Sequence, residues 1–147
     1  MNNIKTISLD GIDVSKFIEI KSRQKWYQNQ DHSRWIFYDE VNQLYYKIWN
    51  DTYVRRDTIP KAIKLGFYDE DILPALKGLI YWENVCRGYV MKKCVPLENN
   101  NNIENLFSQI KQRTEETKLF AYDFCPNHIV KNEDKLTLID LEGVYNL

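Results

Sequence analysis

YDFCPNHIVKNEDKLTLIDLEG, Tyr122 to Gly143, sets two aspartates in contrasting places. Asp123 stands in a polar loop that continues through Pro126. Asp140 stands at the tip of an apolar run that starts at Leu136. Between them the pattern reads as a short strand at Ile129-Val130, a turn at KNEDK (131–135) and a strand LTLID (136–140), a small β-loop unit. The alternative reading of each acid is local. An aspartate beside a proline-containing loop often caps a turn, and one at a strand end needs no further role.

Upstream, ENNNNIEN (Glu98–Asn105) is the one low-complexity stretch and reads as a surface connection. After it, Ile103, Leu106, Phe107 and Ile110 recur at helical spacing, which predicts an amphipathic helix ending near Leu119-Phe120. Earlier segments look extended. RWIFYDEVNQLYYKIW (34–49) predicts a hairpin, with Leu44, Tyr46 and Ile48 on one face of its second arm and Tyr45, Lys47 and Trp49 on the other. DTIPKAIKLGFYDEDILPALKGL (57–79) looks helical but interrupted at Gly66 and Pro74. LIYWENVCRGYVMKKCV (79–95) predicts a second hairpin, with Glu83 to Gly88 in or near its turn. The order is hairpin, helix, hairpin, helix and β-loop unit, an α+β pattern.

The 147 residues, 44% hydrophobic and 28% charged, suit one domain with its own core. A net charge of −1 gives nucleic acid or an anionic membrane no electrostatic footing. No apolar run approaches the ~20 residues of a membrane span, and MNNIKTISLDGID does not read as a signal peptide. The three cysteines, Cys86, Cys94 and Cys125, form no CxxC pair, so a disulfide framework and a structural zinc site are not expected. A reduced, cytoplasmic setting follows. Cys125 and His128 lie close in sequence, but no third orienting group accompanies them. They read as an ordinary buried thiol and a loop imidazole.

Taken with this order of elements, the tail resembles the protein-kinase-like fold, in particular its aminoglycoside and small-molecule kinase branch. That family carries a catalytic loop H-x-D-x-x-P-x-N, a short hairpin, and an apolar strand ending in I-D-x-D/E. Here the loop reads Ala121 to His128 and the strand Leu138-Ile139-Asp140-Leu141-Glu142. LYYKIW resembles the strand bearing the phosphate-binding lysine, which matches Lys47. GYVMKKC resembles the strand that runs into the adenine-gripping hinge. The resemblance implies one minimal two-lobe domain over 1–147. A β-rich N-terminal lobe and hinge would occupy about 1–95, and a much reduced C-terminal lobe, truncated after the metal-Asp motif, 96–147.

The same resemblance implies an ATP-dependent phosphotransferase acting on a hydroxyl-bearing acceptor, a small molecule or a protein. Phosphoryl transfer asks the protein mainly for positioning and charge neutralisation. Lys47 would hold phosphate, and Met91, Lys92 and Cys94 would line the nucleotide site. Asp140, with Asn127, His128 or Glu142, would bind Mg²⁺ or Mn²⁺ through oxygen or imidazole ligands. Asp123 would orient the acceptor hydroxyl or take its proton. For an acidic partner to Lys47, Asp69 and Glu70 are the candidates. A homodimer would supply the acceptor surface that a short chain lacks.

Three departures point to the other reading, a catalytically inactive pseudokinase that serves as a nucleotide- or protein-binding regulatory module. His128 stands where the family has a metal-binding Asn. Ala121 replaces the histidine of the loop. The stretch from Ile18 to Glu40 contains no glycine to build a phosphate-cradling loop.

Overall fold

The computed structural model describes residues 4–20, 34–49, 57–98, 101–121, 128–139, 141 and 144–146. They form an α+β protein in which strands predominate over two α-helices. The described residues pack as two compact units. One takes them from Asn2–Arg56 and Leu76–Lys93, the other from Asp57–Ala75 and Cys94–Leu147.

The first unit is a six-stranded sheet built from β1 (Lys5–Ser8), β2 (Ile18–Ile20), β3 (Arg34–Asp39), β4 (Leu44–Trp49), β5 (Leu76–Trp82) and β6 (Val85–Lys92), in the order β1-β5-β6-β4-β3-β2. All neighbours are antiparallel except β1 and β5, which run parallel. The β3–β4 hairpin forms where the aromatic runs predict it. Its turn is fixed by Asp39, whose Oδ1 accepts the backbone N–H groups of Val41 at 3.1 Å and Asn42 at 3.3 Å. Its Oδ2 accepts from Asn42 Nδ2 at 2.7 Å. This is an aspartate substituting its side chain for backbone partners in a tight turn.

Strand alternation then sorts the side chains of β4 as expected. Ile48 joins Ile80 and Val90 in a buried cluster, with Leu44, Tyr46 and Phe37 packed around it. The N-terminal segment covers this face, with Ile7, Leu9, Ile12 and Val14 against the cluster and Phe17 stacked on Tyr46 at 4.8 Å. Two short 3-10 turns, Leu9–Gly11 and Val14–Lys16, bend it across the sheet. The second opens on Asp13, whose carboxylate accepts from the Ser15 N–H.

The β5–β6 hairpin turns inside the expected stretch. Its turn is Glu83-Asn84, both with positive φ (50° and 67°), the backbone twist that two-residue hairpin turns require. Gly88 lies inside β6 instead of in the turn, for a reason given below.

In the second unit, α1 (Thr58–Lys64) is a short helix that Gly66 ends at φ +85°. α2 (Glu104–Thr117) buries Leu106 and Ile110, the spacing read from the sequence. It stops earlier than expected. Lys118 adopts a left-handed conformation, φ 60°, and its N–H caps the Thr114 carbonyl at 3.0 Å. Leu119-Phe120 therefore belong to a strand, β7 (Leu119–Ala121), which pairs with β10 (Val144–Asn146). β8 (Ile129–Asn132) and β9 (Lys135–Leu138) form the small hairpin predicted around KNEDK.

The segment from Phe67 to Leu73 organises this unit. Ile72 donates no side-chain polarity, yet its carbonyl accepts from the Leu138 N–H at 3.2 Å and from Thr137 Oγ1 at 3.4 Å. Tyr68, 1% exposed, donates its hydroxyl to the Leu141 carbonyl at 3.3 Å. Asp69 meets Arg113 of α2 at 2.7 Å, and Arg113 also donates to the Phe67 carbonyl at 3.4 Å.

Burial alone would raise the pKa of Asp69. The Arg113 hydrogen bond, the N–H groups of Asp71 and Ile72 and the Arg113 charge outweigh it and hold the carboxyl below its ordinary value. A depressed folded-state pKa stabilises the fold above the unfolded-state value, and that gain disappears as pH falls through the folded one. Asp69→Asn keeps an oxygen to accept from the two N–H groups, so it isolates the charge. It is expected to lower stability by up to about 1 kcal/mol at pH 7 for a half-exposed pair. The gap between variant and wild type should narrow on acidification to about pH 3, below the ordinary carboxyl value. Urea unfolding at both pH values checks this.

Candidate functional site

Lys47 is the charged residue that the sheet treats most unusually. A lysine alternating with aromatics would ordinarily sit at a solvated edge. Here β4 is an interior strand between β3 and β6, and Lys47 is 7% exposed. Register places it between Ile36 of β3 and Tyr89 of β6. Its ammonium lies over the Tyr89 ring, 5.7 Å from the centroid, within the range where the negative face of an aromatic ring attracts a cation.

A second row of side chains runs beside this one on the same face, Tyr38, Tyr45 and Met91. Tyr38 and Tyr45 stack at 4.6 Å, and Met91 is 6% exposed. The ammonium of Lys93 lies 5.6 Å from the Tyr38 ring centre, and its backbone N–H donates to the Gln43 carbonyl at 2.9 Å. This row ends where β6 ends. Lys92 lies opposite Leu44, on the other face of the sheet from Lys47 and Met91, and is half-buried. The sheet face thus joins a buried ammonium to an aromatic and thioether surface.

Cys94, in the second unit, is half-buried. His128 is half-buried at the start of β8, where its carbonyl accepts from the Ile139 N–H at 2.7 Å. Leu141 is fully buried and receives the Tyr68 hydroxyl. Asp123, Asn127, Asp140 and Glu142 lie outside the described residues, as do Cys125 and Pro126 of the loop. Among the described residues no group of three or more His, Cys, Asp or Glu could hold a metal ion.

Of the two acids considered as partners of Lys47, Asp69 is held by Arg113 within the second unit, and Glu70 is exposed there. Sequence reasoning did not single out Tyr89, Gly88 or Arg87. One signal was present, since a glycine inside an alternating strand pattern marks a close backbone approach as well as a turn.

No protein-family model matches the chain, and no curated protein matches it. Among the described residues no helix is long and apolar enough to cross a membrane.

Proposed function

We propose that this chain is a minimal kinase-like module that binds ATP with Mg²⁺ or Mn²⁺ and transfers a phosphoryl group to a hydroxyl-bearing acceptor. The observation that carries the reading is Lys47, buried at the centre of a sheet on the strand beside the one that runs toward residues 92–95. A lysine so placed is a fixed point charge next to an aromatic surface, the pairing that a nucleotide's phosphates and base require. The order of elements supports the reading too. A hairpin with the lysine, a helix, a second hairpin, a longer helix and a β-hairpin follow one another as in the family that the tail resembles.

In this reading Lys47 neutralises the phosphates, and Asp140, with Asn127, His128 or Glu142, holds the metal. Asp123 orients the acceptor hydroxyl. The second reading is a nucleotide-binding module without turnover. The observation in its favour is the glycine-free stretch between Ile18 and Glu40, which offers no loop of the usual kind to wrap the phosphates.

Calorimetric titration with ATP, with and without Mg²⁺ or Mn²⁺, tests both. Metal-dependent binding is expected in the wild type, with loss of that dependence in Asp140→Asn. In Lys47→Ala affinity should fall by about tenfold or more, since a hydrogen bond to a charged group is worth about 1.5–3 kcal/mol. Binding that persists in Asp140→Asn with the same metal response overturns the metal assignment. Metal-dependent binding with no phosphate release or transfer, across acceptors, makes the inactive module the correct reading. An absence of binding at millimolar ATP removes the nucleotide site altogether.

A further inference from the structure

A lysine ammonium is a compact charge on a flexible four-carbon stem, and it points in one direction only when its neighbours remove the alternatives. Three consecutive residues of β6 act on Lys47 and its strand. Gly88 stands opposite Ile48, and a Cβ there would collide with the Lys47 carbonyl oxygen and lie 3.0 Å from Ile48 Cα. The missing side chain lets the β6 backbone press directly against the peptide that carries Lys47. Arg87, 9% exposed, donates from Nε to the Trp49 carbonyl at 2.9 Å and so ties down the strand just past Lys47. Tyr89 then places its ring under the ammonium, and the Trp49 ring meets Tyr89 edge-on at 6.0 Å.

A ring needed only to fill a core would pack against carbon. This one faces a cation in a position 7% exposed, where an ammonium is costly to desolvate and the ring's negative face offsets part of that cost. We infer that Arg87-Gly88-Tyr89 is a clamp for Lys47, with Tyr89 the positioning residue that aims the ammonium. The functional side of this inference rests on the phosphate role proposed for Lys47. The clamp itself does not.

The experiment compares wild type with Tyr89→Phe, which keeps the ring, and Tyr89→Leu, which removes it. Two measurements are made on protein with ¹³C-labelled lysine. The first is the position of the Lys47 εCH₂ signal, assigned with Lys47→Arg. A methylene held over a ring is shifted upfield, so the signal should be upfield in wild type and Tyr89→Phe and should return to the ordinary lysine position in Tyr89→Leu. The second is titration with MgATP. A Kd about tenfold weaker is expected in Tyr89→Leu, and one within about twofold of wild type in Tyr89→Phe, for a desolvated cation–ring contact.

An ordinary lysine position in the wild type overturns the clamp, and this outcome needs no variant to fold. So does a signal unmoved in Tyr89→Leu, or a Tyr89→Phe affinity as weak as that of Tyr89→Leu. If the wild type shows the upfield signal but binds no ATP, the phosphate reading falls and the clamp stands.

Discussion

Gly88→Ala is expected to lower the unfolding free energy of the sheet unit by about 3 kcal/mol, the upper part of the range for forcing atoms into a packed interior. The added methyl would run into backbone, the Lys47 carbonyl oxygen and the Ile48 Cα, and neither can rotate away. Strands β4 and β6 would have to part at the row that bears the lysine. Alanine's better strand entropy returns only about 0.5–1 kcal/mol against this.

Gly78 supplies the internal control. A Cβ there would meet Ile7 Cδ1 at 2.7 Å and the Lys5 carbonyl at 3.2 Å. The first contact is the far end of a flexible side chain, so Gly78→Ala should cost about 1 kcal/mol or less. Urea unfolding followed by tryptophan fluorescence compares the two. Equal losses at both positions would mean that β4 and β6 are not in close contact at Lys47.

The second large effect is expected at Trp49. It is 1% exposed, ends β4, meets the Tyr89 ring edge-on and offers its carbonyl to Arg87. Trp49→Ala should destabilise by about 4 kcal/mol, the usual outcome of emptying an aromatic site in a core. That approaches the whole stability of a small domain, about 5–15 kcal/mol, so the variant is expected to be partly unfolded without stabilising osmolyte. Trp49→Phe refills most of the volume and leaves the backbone carbonyl in place, and it should lose about 1.5 kcal/mol. If Trp49→Ala unfolds at the same urea concentration as wild type, the indole is not part of the core.

Local physics made some of this readable from the residues alone. The period-two alternation of LYYKIW assigns Ile48 to the core cluster and Lys47 to the other face, because strand geometry leaves no alternative. The spacing of Leu106 and Ile110 likewise marks the buried side of α2. Other features depend on partners distant in sequence. Nothing near Asp69 announces that Arg113 will hold it, and nothing in KTIS indicates that β1 will pair with β5. Gly88 carried two meanings, turn and close approach, and only the neighbouring strand decides between them. Lys118 took a left-handed cap position usually given to glycine or asparagine, so the end of α2 had no residue to mark it. Around the candidate site, Lys47, Met91 and Lys92 fall on strands that sequence pattern could assign. The clamp behind Lys47 became visible only with register.

The parallel pairing of β1 with β5 also bears on how the sheet is completed. Lys5 lies beside Gly78 and Ser8 beside Tyr81, with β2, β3, β4 and α1 between them in sequence. The hairpins β3–β4 and β5–β6 close short loops and can form within microseconds. β1 cannot, since its template does not exist until β5 is in place and the intervening chain must then be confined. Contact order therefore predicts that the N-terminal strand joins the sheet after the two hairpins. With it would come the apolar cover of Ile7, Leu9, Ile12 and Val14, so on this prediction the Ile48 face of the lysine strand is sealed from water only once β1 docks.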